Sequence, residues 1–548
     1  MNKRVLNNAI VITYLLVISL LFCFPLFNSG LAGPQDTRFH LGRILSMGNV
    51  WHSPVNFLTF AHHGNMINPY YPWLTIYPAY LLVKLTGSLA TGYKLFIVLI
   101  TFLTAVSAYY SFMAMKHQRT AALVFASVYT FAAYRSVNVF LRGALGETLC
   151  ALFLPIAFLG LYQVLRGNWR KWPLLTAGMT LILYTHLLTV ALSVILCAIF
   201  AVLALPQMDH RLQRITAGIK AAGMTVLLSL AFILPFLQMS RAQKVALPVR
   251  HLLERGVLSP SALFTSSLNN DWSHYGLGIT VLIALIYALT QFRKLNGVER
   301  TLLATALGMI LLLTTLFPIA LFDKTPVASI QFIWRLNAFT TLFVLYIACS
   351  HLPAVHSPYA YGLTLLLLTG ALLSVHYTSF HAVRAQTAMF FPSGLVYNDN
   401  ELEGKMQNYA HEDYRPDGAL NPAYVTDFRP RLAGKVQKLH AHYTQNTASF
   451  TVTNHGRSGQ VLRTSVYRYA SQLVKLNGKP IATSSVDGMT GVRLPHGTAH
   501  ITITYRNSRT TIFARIISLV TLILWGLFPV LRRRYLTPSM RKPKHASI

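Results

Sequence analysis

Long apolar runs separated by short polar breaks dominate the first 380 residues. Runs of spanning length fall at roughly 9–29, 93–115, 119–135, 147–165, 172–188, 189–206, 216–238, 276–292, 301–320, 331–350, 359–378 and 511–531, about twelve at ~20 residues per crossing. A further stretch, Trp73 to Leu89, contains Pro78 and Lys84. It reads as an interfacial or re-entrant helix, because a crossing there would invert every later loop. From about 380 to 510 the pattern changes to period two. Ala499, Ile501, Ile503 and Tyr505 alternate with His500, Thr502 and Thr504, and Phe450 alternates with Val452 in the same way. Asn477-Gly478 between two short apolar runs predicts a hairpin turn. The expectation is a mainly α, polytopic membrane protein with a C-terminal β-sandwich outside the membrane. Residues 1–379 form the membrane domain, with a large first outer loop at 30–92. Residues 380–510 form the β domain, and 511–548 a last span with a basic tail.

Charge fixes the threading. The 548 residues carry 47 Lys+Arg against 15 Asp+Glu, a net charge of +32, yet only 11% are charged and 53% are hydrophobic. Soluble globular domains carry roughly 25% charged residues. An ordinary soluble enzyme and a disordered basic tail are both excluded. So is a nucleic-acid binder, whose basic residues cluster in a stripe. Here they fall in alternate loops: Lys116 and Arg119; Arg166, Arg170 and Lys171; Arg211 and Arg214; Arg293, Lys294 and Arg300; then Arg532, Arg533 and Arg534 in the tail. By the positive-inside rule both termini are cytoplasmic and the β domain is outside. The four cysteines each lie inside an apolar run and read as small core residues.

Acids are the scarce residues, and eight of the fifteen lie in 380–510. Asp209 and Glu299 sit among basic residues in inner loops. Asp36, Glu147, Glu254, Asp271 and Asp323 remain on the outer side. A helix starting after Pro34 puts Asp36 and His40 on one face, four residues apart. Together they would hold a divalent ion or handle a proton; alternatively Asp36 is simply an acid favoured by a helix N-terminus. Glu147 at a span mouth needs a partner, and Arg142 is the nearest, as a functional pair or as an ion pair joining two helices. His186 in Tyr184-Thr185-His186 is a cavity residue or a packing histidine. Arg335 at a span mouth needs an anion: a lipid headgroup, a phosphate or Glu147. Asp271, in Asn269-Asn270-Asp271-Trp272, lies in a loop rich in residue types that contact sugars.

The run Asp36-x-x-Phe39-His40-x-x-Arg43-Ile44 resembles the first-loop motif of GT-C glycosyltransferases. It is especially similar to the bacterial membrane family named for a 6-pyruvoyl-tetrahydropterin synthase-related domain, a name that denotes no pterin chemistry. Asn68-Pro69, Tyr77-Pro78, Arg142-Gly143, Glu147, Leu154-Pro155, Tyr184-Thr185-His186 and Gln331-Phe332…Trp334-Arg335 follow in the same order. Leu494-Pro495-His496-Gly497-Thr498-Ala499-His500-Ile501 resembles the outer β domain of YfhO-type proteins. The resemblance implies a GT-C-like helical fold in the bacterial cytoplasmic membrane. It implies a polyprenyl-phosphate sugar donor, an envelope glycan or polymer acceptor, Asp36 as the catalytic carboxylate, His40, Glu147 and His186 around it, and Arg335 on the donor phosphate. The chain departs from many GT-C enzymes in having no acid adjacent to Asp36, which bears on any divalent metal held by Asp36 and His40. The competing expectations are a lipid or glycolipid transporter or flippase, and a non-catalytic envelope-assembly protein.

Overall fold

The computed structural model describes residues 3–28, 31–32, 35–355, 357–390, 396–397, 399–425 and 427–535. Among them seven helices are long and apolar enough to cross a membrane: Leu89–Lys116, Leu145–Leu165, Leu187–Gln207, Arg211–Ala242, Ile333–Ser350, Tyr359–Ala385 and Arg509–Leu527. Each falls on a predicted run. The other five runs also form helices: Lys3–Cys23, Arg119–Thr130, Pro173–Leu183, Ile279–Thr290 and Gly297–Leu312. The last four have 11 to 16 residues, shorter than the ~20 of a straight crossing. Hydropathy counts an apolar run as one rod and does not see where the backbone breaks. The run 119–135 breaks at Thr130, and the run 172–188 breaks at Tyr184–His186, where His186 is extended (φ −153°, ψ 114°).

The Trp73–Leu89 stretch forms a ten-residue helix, Tyr77–Thr86. Gly87, at φ +66°, ends it, and the Ser88 hydroxyl accepts from Thr91 N to start the next helix. The two helices then fold back closely. A Cβ on Gly92 would stand 2.6 Å from the Val83 backbone, so only glycine permits the approach.

The C-terminal region is β-rich, as its alternation predicts. Strand β1 (Leu31–Ala32) pairs antiparallel with β2 (Val396–Tyr397). Ten strands follow: β3 (Arg431–Leu432), β4 (Lys435–Val436), β5 (His440–Tyr443), β6 (Thr447–Asn454), β7 (Val461–Tyr467), β8 (Gln472–Leu476), β9 (Lys479–Pro480), β10 (Ser484–Val486), β11 (Met489–Arg493) and β12 (Gly497–Tyr505). They make two five-stranded sheets, ordered β10-β11-β7-β3-β4 and β5-β6-β12-β8-β9. Ala499, Ile501, Ile503 and Tyr505 of β12 are all buried. Asn477 and Gly478, at φ +50° and +80°, make the expected turn between β8 and β9. Both sheets contribute to one apolar core.

That core is not built from the C-terminal region alone. Val55, Phe57 and Met66 of the first loop lie inside it. Asn49 Nδ2 donates to Gln445 O and to the Asn446 side chain, each at 2.8 Å. Tyr467 N donates to His63 O (2.9 Å), and Asn507 Nδ2 to Trp51 O (3.0 Å). The loop at 46–68 therefore joins the helical and β parts into one body.

Candidate functional site

The helix Gln35–Leu45 begins where the sequence places it, with Asp36 in its first turn. Against it lies a six-residue π-helical segment, Val137–Arg142, which ends at Gly143 (φ +66°). A Cβ on Gly143 would meet Thr37 Oγ1 at 1.8 Å. A single π turn is a common device for aiming a functional side chain. Here it aims Arg142, whose Nη1 donates to Asn138 Oδ1 at 2.7 Å. The next helix, Leu145–Leu165, carries Glu147 in its first turn. Arg335 comes from the 3₁₀ turn Ile333–Leu336 that leads into the helix Asn337–Ser350.

These residues converge. Arg142 lies 3.0 Å from the Glu147 carboxylate and 3.5 Å from that of Asp36. Arg335 Nε lies 3.2 Å from the other Glu147 oxygen. The Tyr134 hydroxyl also donates to Glu147. Arg335 Nη1 donates to Ile330 O (2.9 Å) and to the Gln331 side chain (2.8 Å). Trp334 stacks on Tyr275 with ring centres 4.4 Å apart, and the Arg142 guanidinium lies 4.4 Å from the Trp334 ring centre. Both readings of Glu147 meet here: it is an ion-pair partner, and it lies on the cavity wall.

All of this opens into a cavity of about 840 Å³. Asp36, His40, Arg142, Glu147, His186 and Arg335 all line it. The two acids differ sharply in access: the Asp36 side chain is 46% exposed and that of Glu147 only 7%. Asp36 faces the open cavity, yet the protein around it strips it of bulk solvent. That desolvation raises its pKa, with Arg142 pulling the other way. Burial opposes the charge on Arg142, but Glu147 and Asp36 outweigh it and hold its pKa above the usual value.

His40 is buried, and its Nδ1 lies 3.5 Å from Arg43 Nη1. Burial first, then the Arg43 charge, pushes its pKa well below the imidazole range. Arg43 is itself fully buried and donates to Pro72 O (2.5 Å) and Tyr71 O (3.3 Å). The His40 environment fits poorly the alternative of a divalent ion shared by Asp36 and His40. A nitrogen facing a guanidinium makes a poor cation ligand, and no group of three or more His, Cys, Asp or Glu converges among the described residues. His186 Nδ1 lies 2.9 Å from Thr189 Oγ1, which fixes its ring. Asp271 is the sequence candidate that does not reach the cavity wall. Its carboxylate accepts from Ser273 N (2.9 Å) and Ser273 Oγ (2.6 Å) and pairs with His274 Nδ1 (2.6 Å). Its neighbours Ser273, His274 and Tyr275 do line the cavity.

Sequence reasoning missed the far wall. Tyr409, His411, Glu412, Asp413 and Tyr414 line the cavity from the segment before the sheets. His411 sits 4.4 Å, ring to ring, from Phe39 and 3.4 Å from the Asp413 carboxylate. No periodicity marks this segment; its two adjacent acids were the only available signal.

A family model described as 6-pyruvoyl-tetrahydropterin synthase related domain, membrane protein, matches residues 69–381. The chain belongs to this family. It is a membrane protein, and the match takes in Arg142, Glu147, His186, Asp271 and Arg335 while beginning after Asp36 and His40. No curated relative matches the chain. Among solved structures it is similar to the arabinofuranosyltransferase AftD from Mycobacteria, seen by single-particle cryo-EM, at 14% identity and a TM-score of 0.44. That similarity covers 69% of this family member and 27% of the AftD chain, so the protein spans about a quarter of that structure's length.

Proposed function

We propose that this family member is a glycosyltransferase that moves a sugar from a polyprenyl-phosphate-type lipid to an envelope acceptor at the outer face of the bacterial cytoplasmic membrane. The observation that carries the reading is the pair of unequal acids joined through Arg142 in one cavity. The resemblance of the Asp36–Ile44 motif to GT-C enzymes supports it. In this mechanism the acceptor hydroxyl oxygen bonds to the anomeric carbon as the bond to the lipid phosphate oxygen breaks. The hydroxyl proton passes to Asp36, the accessible carboxylate. Arg142 and Arg335 face the leaving phosphate and offset its charge. Glu147, held by two arginines and a tyrosine, sets their geometry.

The test is glycan analysis of envelope polymers from cells carrying wild-type or Asp36→Asn protein at equal membrane levels. The expected result is loss of one glycan modification, with transfer reduced about 10²–10⁴-fold. Unchanged transfer in the variant sinks the proposal. Lipid translocation in liposomes without any sugar transfer would identify a flippase.

A further inference from the structure

The chain passes from its sheets into its last span within three residues. Strand β12 ends at Tyr505, and the helix Arg509–Tyr535 starts at Arg509. This junction is braced against the first loop and against the helix Arg211–Ala242. Asn507 Nδ2 donates to Trp51 O (3.0 Å), and the Ser508 hydroxyl donates to Gln238 Oε1 (2.6 Å). Arg515 Nη1 donates to Trp51 O (2.8 Å) and Nη2 to Val50 O (3.1 Å). Its guanidinium lies 5.4 Å from the Trp51 ring centre, and Trp51 meets Trp73 edge to face at 5.0 Å. Both helices are long and apolar enough to cross a membrane. Tryptophans gather where such spans reach the lipid head groups, so the junction lies at head-group depth.

A small pocket of about 70 Å³ opens at the junction and shares no lining residue with the Asp36 cavity. Three residues that line it carry a buried polar atom with no hydrogen-bond partner: Asn68 Oδ1, Ser471 Oγ and Arg515 Nε. Asn68 is only 6% exposed. The three come from the first loop, the turn between β7 and β8, and the last span. Buried polar atoms are nearly always satisfied, so three orphans gathered from distant parts of the chain call for a guest. Asn68 Oδ1 only accepts, Arg515 Nε only donates, and Ser471 Oγ does both. Hydroxyl groups, which donate and accept, match Asn68 and Ser471. Arg506 also lines the pocket, is exposed, and enters no ion pair or hydrogen bond among the described residues. No described acid lines the pocket, and two arginines without an acid suit a phosphodiester. Leu519, four residues beyond Arg515 and so on its helix face, is 57% exposed and offers an apolar track leading into the membrane.

We infer that the junction pocket binds the head of an anionic phospholipid that carries free hydroxyls, of the phosphatidylglycerol class. The phosphate meets Arg506 and Arg515 Nε. The head-group hydroxyls satisfy Asn68 and Ser471, and an acyl chain runs past Leu519. Bound there, the lipid clamps the first loop, the sheets and the last span together at the membrane surface. The site takes part in no transfer step and is independent of the glycosyltransferase reading.

The test places the full chain in nanodiscs holding equal parts of phosphatidylglycerol, phosphatidic acid and phosphatidylcholine with matched acyl chains. Retained lipid is then counted by native mass spectrometry. One phosphatidylglycerol per chain should be kept about tenfold over phosphatidic acid, which lacks the hydroxyls, and over phosphatidylcholine, which lacks hydroxyls and net charge. Arg506→Gln should weaken retention of both anionic lipids, and Arg506→Lys should recover part of that loss. Ser471→Ala and Asn68→Leu should erase the preference over phosphatidic acid and leave the preference over phosphatidylcholine. Retention of the three lipids in equal amounts would overturn the site and leave its orphan atoms to water. Wild-type retention in Arg506→Gln, or equal retention of phosphatidylglycerol and phosphatidic acid by the wild-type chain, would overturn it too. Full displacement of the lipid by an equal concentration of soluble glycerol 3-phosphate would overturn the lipid as the source of the head group. If Asn68→Leu fails to fold, the exposed Arg506 and the small Ser471→Ala change decide.

Discussion

Arg142 touches both carboxylates of the cavity, and this makes the two acids unequal. Glu147 is the buried counter-ion of Arg142 and Arg335, so Glu147→Gln leaves Arg335 without an acid and Arg142 with only the longer contact to Asp36. Removing one partner of a buried pair costs about 3–5 kcal/mol, and a lowered thermal midpoint in nanodiscs should show it. Asp36 is half accessible and its ion pair is longer, so Asp36→Asn should leave that midpoint nearly unchanged while removing activity. A variant pair with the opposite ranking would reverse the assigned roles. The pH profile carries the same logic. Burial raises the Asp36 pKa, and a base works only when ionised. Transfer should therefore fall on acidification with a limb above the ordinary aspartate value near 4, readable as kcat/KM against pH. Asp36, Glu147 and Arg335 were legible because acids are rare in the chain and each needs a partner. Tyr134 and Trp334 carry no such signal. What they do depends on a π turn and a ring stack, and neither leaves a spacing in the sequence.

Helix packing determines where those side chains arrive. The helix Leu145–Leu165, which carries Glu147, turns back into Pro173–Leu183 with almost no room between them. A Cβ on Gly160 would stand 2.2 Å from Leu175 N, and one on Gly178 2.5 Å from Ala157 N. Small residues of this kind let membrane helices approach backbone to backbone. Gly160→Leu should force the pair apart, lower the thermal midpoint, and reduce transfer by displacing Glu147 although it touches no substrate. Gly143→Ala acts nearer the chemistry, since both its positive φ and Thr37 oppose a side chain. It should lower kcat with a smaller change in stability than Gly160→Leu. Helix positions were legible throughout, because burial along an apolar run is a local property. Helix ends were not. The breaks at Thr130 and Tyr184 come from tertiary packing, and hydropathy is blind to that. The segment 248–258 and the wall at 409–414 have no period of either kind, so only the folded chain brings them to the cavity.

At the scale of the molecule, the helical and β parts share material. The first loop supplies Val55, Phe57 and Met66 to the core between the sheets, and the segment before the sheets supplies one wall of the cavity. A fragment of residues 399–508 expressed alone should therefore fold poorly, and co-expression of a peptide covering 46–68 should improve its solubility. A monodisperse, cooperatively melting fragment would show that the loop is an accessory. The β alternation was visible in the sequence, but the contribution of the loop was not, because its partners lie so far along the chain. Asn49 and Gln445, joined by a hydrogen bond, are 396 residues apart. At ribosomal speeds of about 5–20 residues per second, that separation is roughly 20–80 seconds of synthesis. For that interval the newborn loop holds Phe57 and its apolar neighbours without their sheets. The residues that line the cavity end at Ala423, ahead of β3, so a growing chain on the ribosome carries every wall of its site before it has the strands that bury Phe57.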